Sequence, residues 1–85
     1  MVQLLGTYPN PVGQQATLRY ALPERQDVEV RLYDVLGRQV RTVVRGTREG
    51  RQEQTLDVSG LPSGVYFLRL QSDGQVRTQK LTVVQ

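Results

Sequence analysis

Eight carboxylates and eleven basic side chains carry all the charged chemistry of this 85-residue sequence, which has neither histidine nor cysteine. The usual general base near neutral pH, the commonest metal ligand and the thiolate nucleophile are therefore all missing. Glu24, Asp27, Glu29, Asp34, Glu49, Glu53, Asp57 and Asp73 fall singly along the chain. They offer no nucleophile–base pairing and no ligand spacing, so the sequence reads as non-enzymatic, with no metal and no cofactor. Asp27 and Glu29 share one strand face, which suits a solvated surface better than a cation cage. Asp34 and Asp73 stand where a turn needs a side chain that bonds its own backbone.

The net charge of +3 is unevenly spread. Arg38, Arg41, Arg45, Arg48 and Arg51 face only Glu49 within their stretch, and Lys80 is the one lysine of the chain. A basic run is the electrostatic footprint of phosphate binding. Here no aromatic residue is interleaved to stack a base, so nucleic acid is not the expected partner. A charged strand edge that resists pairing with other sheets accounts for the run better. A glycan site would need an aromatic platform. The chain has no tryptophan, and Tyr33 and Phe67 are the aromatics that side-chain alternation turns outward.

Strands must position these residues, because the hydrophobic period is two nearly throughout. Ala16, Leu18, Tyr20 and Leu22 alternate with polar or small residues, as do Val28, Val30 and Leu32, then Tyr66, Leu68 and Leu70, then Leu81 and Val83. Leu4-Leu5, Gln39–Val44 and Gln52–Val58 read as weaker strands. Turn signals separate the runs: Pro23, Asp34 to Gly37, Gly46 to Gly50, Ser59 to Gly64, and Asp73-Gly74, a two-residue hairpin signal. About seven short strands predict an all-β antiparallel β-sandwich. Its core is expected from Leu18, Tyr20, Val28, Val30, Leu32, Val40, Leu56, Leu61, Tyr66, Leu68, Leu70, Leu81 and Val83. The length fits one domain over residues 1–85, with a thin core that buries roughly 60–65% of the unfolded surface. No apolar run spans a bilayer and no signal-peptide pattern follows Met1. Near the start, Pro9 and Pro11 bracket Asn10. They predict a stiff, extended approach to the first long strand.

Four motifs, in order, carry a resemblance. They are Tyr8-Pro9-Asn10-Pro11; Tyr33-Asp34-Val35-Leu36-Gly37-Arg38; Leu61-Pro62-Ser63-Gly64-Val65-Tyr66; and Lys80-Leu81-Thr82-Val83-Val84. Together they resemble the type A C-terminal sorting domain of the type IX (Por) secretion system of Bacteroidota, over roughly Leu5 to Gln85. They are also similar to the Ig-like domain of the flagellar hook-capping protein. Two departures stand out: Val12-Gly13-Gln14-Gln15 replaces the relatives' Phe-Asn-Pro-like run, and Leu56 stands where they often carry tryptophan.

The resemblance implies an Ig-like sandwich and a recognition role without catalysis. Pro9, Asn10, Pro11, Asp34, Leu36, Gly37, Arg38, Leu61, Gly64, Tyr66 and Lys80 match the family's motifs. The C-terminal hairpin, residues 64–84, would be the address and residues 8–11 the boundary with a covalently linked N-terminal cargo domain. The implied partners are the type IX translocon and its sortase-like enzyme, met during periplasmic transit. Association with the outer membrane would be transient and without insertion, before release or display at the cell surface. The competing expectations are a passive Ig-like accessory module of a secreted enzyme, acting as spacer or weak carbohydrate binder through Tyr33 or Phe67, and a protein–protein cap like the flagellar homologue.

Overall fold

A computed structural model describes all residues from Met1 to Gln85. The chain forms five strands and no helix: β1 (Gln3–Tyr8), β2 (Gln15–Tyr33), β3 (Gln39–Asp57), β4 (Gly64–Ser72) and β5 (Gln75–Val83). All strand pairs are antiparallel. β2 is the spine. β3 runs along one side of it, from Gln15 opposite Asp57 to Tyr33 opposite Gln39. The other side is shared: β1 takes the first half, with Tyr8 opposite Thr17, and β4 takes the second, with Tyr33 opposite Phe67. β5 then pairs with β4 from Gly64–Val83 to Ser72–Gln75.

Because β1 and β4 lie on the same side of β2, the sheet must bend between them. The bend falls where Pro23, Glu24 and Arg25 have no partner and the β2–β3 register shifts, between Leu22 opposite Gly50 and Gln26 opposite Arg48. A proline lacks the N–H that a ladder needs, and a bulge is where it is tolerated within a sheet. On β3, Gly50 (φ +74°) faces the corner, and backbone with that dihedral suits glycine. Ser72, buried at the bend, donates its hydroxyl to the Asp27 carbonyl and accepts from Gln26 Nε2 at 2.6 Å. Polar groups displaced by the bulge are thereby partly satisfied.

Bending in place corrects the expected strand count. The runs Ala16–Leu22 and Val28–Leu32 are one strand, and so are Gln39–Val44 and Gln52–Val58. The Gly46–Gly50 stretch, expected as a loop, lies inside β3. Pairing with β2 on both sides of the corner makes the ladder continuous, so Pro23 kinks the strand without ending it.

The curled sheet encloses one apolar cluster of 18 buried residues on its concave face. Every expected core residue belongs to it except Val40, which packs at its margin. Val2, Val12, Ala16, Leu22, Val44 and Val58 complete it. The open sides of the curl are joined by side chains. Thr7 Oγ1 donates to Gln79 Oε1 at 2.8 Å, and the Val2 amide donates to Gln75 Oε1 at 3.0 Å. The result is a half-barrel, with β1 and β5 facing each other across the gap.

Candidate recognition site

The family-motif residues lie far apart in sequence, and the fold brings them to the end of the molecule where β4 begins and β5 ends. Tyr8 closes β1, and the chain bends through Pro9, Asn10 and Pro11 rather than staying extended. Both proline peptide bonds are cis. The bend sets the Asn10 carboxamide against β5. Its Oδ1 accepts from the Thr82 amide at 3.0 Å, and its Nδ2 donates to the Lys80 carbonyl at 3.3 Å. One side chain thus occupies the donor and acceptor that a neighbouring strand would use. Val12, fully buried, continues the seam as a parallel bridge to Val83. Its amide donates to the Thr82 carbonyl and its carbonyl accepts from the Val84 amide, both at 2.9 Å.

The turn after β2 is organised by Asp34. Its Oδ1 accepts from the Leu36 and Arg38 amides, both at 2.9 Å, and its Oδ2 accepts from Arg38 Nε at 2.8 Å. These bonds, the Arg38 amide foremost, hold the carboxyl below the ordinary aspartate range. Gly37 takes φ +82°, which a β-carbon would oppose. Val35 and Leu36 are pushed outward, 66% and 74% exposed. That is unusual for two adjacent aliphatic residues in a chain with a thin core.

The third motif folds back beside this turn. Leu61 is buried under the connection from β3 to β4, and Tyr66 donates its hydroxyl to the Pro62 carbonyl at 2.6 Å. Asp34, Leu36 and Arg38 from one motif, and Leu61, Gly64 and Tyr66 from the other, line a single surface groove of about 300 Å³. Lys80 stands apart from it. Its side chain is exposed on the convex face beside Phe67, while its carbonyl is held by Asn10.

Several contacts at this end were not expected from the sequence. Gln85 donates its amide to Ser63 Oγ at 2.9 Å and its side chain to the Val58 carbonyl at 3.0 Å. Asp57 Oδ1 accepts from the Ser59 amide and hydroxyl, which lowers the Asp57 pKa. The spacing Asp-x-Ser is a legible turn signal. Nothing in the sequence pairs Gln85 with residues more than twenty positions away.

The basic run disperses. Arg38 meets Asp34, Arg41 Nη2 donates to the Ser59 carbonyl at 3.0 Å, and Arg45 Nε lies 3.8 Å from Glu29. The Arg48 guanidinium lies over Gly46 and reaches Tyr20, whose phenol burial nevertheless pushes up in pKa. Arg38, Arg41, Arg45 and Arg48 thus answer separate local partners rather than forming one stripe.

A motif-bearing end stapled to the last strand is the geometry against which the comparisons stand. The sequence pattern of the secretion system C-terminal sorting domain matches residues 6–84. The chain belongs to that family. The sorting domain is thus a C-terminal secretion sorting signal of the type IX system, and the protein it serves is a secreted or cell-surface one. Its fold is similar to that in the crystal structure of CopC from Methylosinus trichosporium OB3b, with a TM-score of 0.52 and 20% identity. The alignment covers 98% of the sorting domain and 93% of that chain. A likeness at this identity is one of fold. Comparison with curated proteins gives no match.

Proposed function

We propose that the β4–β5 hairpin and the groove at its base form the address that the type IX translocon reads, by recognition and without catalysis. One observation carries this reading: six motif residues from two distant segments line one groove, at the end where Asn10 staples the chain to β5. A fixed exposed surface suits docking, and the exposed Val35 and Leu36 supply apolar anchors at its rim. The sortase-like enzyme would act on the same presented end. Because β1 pairs with β2 and Val2 is buried in the core, the Tyr8–Pro11 bend lies inside the domain rather than at its boundary. A covalently linked cargo would precede Val2, with transit through the periplasm and only transient contact with the outer membrane.

The order of the motifs favours the type A subgroup and a Bacteroidota-like host. The Ig-like relation is supported by two features. The Tyr66 hydroxyl reaches back four residues to a backbone carbonyl, as the tyrosine corner of Ig-like sandwiches does. The bent β2 also pairs with β1 through its first half and with β4 through its second, which gives the single curled sheet two arms.

The test fuses the domain to a periplasmic reporter in a type IX-competent host. Deleting Lys80–Gln85 should abolish export. Because that deletion also removes core residues, Val35→Asp with Leu36→Asp provides a variant that keeps the core. It should unfold at the parent temperature yet export at least about tenfold less. Undiminished export of both variants would overturn the proposal.

A further inference from the structure

The convex face of β2, β4 and β5 carries a second feature, next to the groove and sharing Asp34 and Val35 with it. Tyr33 stands directly opposite Phe67, and Phe67 opposite Lys80. One row away, Arg31 stands opposite Arg69, and Arg69 opposite Thr78. These residues alternate with the buried Leu32, Leu68, Leu70 and Leu81, so their side chains share the outward face. Like charges placed directly opposite on neighbouring strands repel. Glu29 answers Arg31 at 2.7 Å, but no carboxylate lies within ion-pair distance of Arg69 or Lys80. A shallow cavity of about 320 Å³ opens here, and Tyr33, Phe67, Arg69 and Thr78 are among its lining residues. At its rim, the Asp34 carboxylate already accepts three hydrogen bonds from its own turn.

Two aromatic side chains on adjacent strands make a platform about the width of one sugar ring, the strand spacing being about 4.8 Å. The unanswered cations beside it call for an anion, and an arginine fork fits a carboxylate or a phosphate. We propose that this face binds an anionic sugar, with its apolar C–H side on Tyr33 and Phe67 and its carboxylate or phosphate at Arg69 and Lys80. A single-stranded nucleic acid offers similar chemistry. The sugar is preferred because the sorting reading delivers this surface to the cell exterior.

The test titrates the 85-residue chain, followed by amide NMR, with a glucuronate-containing hexasaccharide, a sugar phosphate, a neutral glucose hexasaccharide and a ten-residue oligothymidylate. Either anionic sugar should shift resonances around residues 31–33, 67–69 and 78–80, and the two arms tell carboxylate from phosphate. The neutral oligosaccharide should bind at least about tenfold more weakly, and Arg69→Gln should weaken the anionic probe by a similar factor. Phe67→Leu, which keeps an apolar side chain at the site, should do the same through loss of the ring. Absence of shifts with both anionic sugars, equal binding of the neutral one, tighter binding of oligothymidylate, or indifference to Arg69→Gln would each overturn the proposal. No translocon enters this measurement, so its failure and a failure of the export reading are seen separately.

Discussion

Asp34 shows how much one carboxylate organises when backbone donors converge on it. Because N–H groups stabilise its charged form, its pKa in the folded chain lies below that in the unfolded chain, and the same holds for Asp57 beside Ser59. Such groups contribute stability that is complete above the unfolded aspartate pKa of about 3.9 and is lost as pH falls through the folded value. The urea midpoint should therefore hold between about pH 5 and 7 and decline below about pH 4. Asp34→Asn combined with Asp57→Asn should flatten that acid decline while lowering the midpoint at neutral pH. A decline as steep as the parent's would place the acid sensitivity elsewhere. Tyr66→Phe isolates a different bond. It should cost about 1 kcal/mol in chemical denaturation, the usual net value of one hydrogen bond, with the ring still packed.

Element by element, legibility in the sequence followed the reach of the interaction. The Asp73-Gly74 hairpin was readable because its cause is local. Both residues take positive φ, +51° and +74°, as a two-residue primed turn demands. Gly74→Val forces a branched side chain into that conformation and should destabilise by roughly 1–2 kcal/mol, measured by urea unfolding, whereas Gly74→Asn should be milder. Alternation likewise placed the cores of β2, β4 and β5 correctly. The Pro23 corner misled because proline's local preference is to end a strand. Whether it does so depends on a partner elsewhere, and β3 continues past it on both sides. The Pro9–Pro11 segment misled similarly. Each proline favours extension before it, but the chain bends so that Val12 can be buried against Val83.

For the molecule as a whole, closure is the decisive feature. Its open side is held by Asn10, Val12 and the Thr7–Gln79 contact, and each joins residues about seventy positions apart. Asn10→Ala removes one donor and one acceptor from that seam. It should lower stability by about 1 kcal/mol and speed hydrogen exchange at the Thr82 amide well before the Leu68 amide responds. Uniform acceleration across β4 and β5 would mean that the seam and the core open together. The candidate recognition groove is built by other pairings: its motifs meet where the end of β2, β4 and the β3–β4 connection converge.

The sequence by itself determined an all-β chain, most of its core, its tightest turns and the motifs of its family. Each of these follows from side-chain alternation or from dihedral demands within a few residues. Only the tertiary structure decided that seven apparent strands run as five. It alone gathered the motifs from two segments around one groove, stapled Asn10 to the last strand, and set Tyr33 and Phe67 side by side among unpaired cations. Those outcomes rest on strand register and on burial between distant segments. Neighbouring residues do not encode such pairings, because their free energy appears only once the sheet has curled.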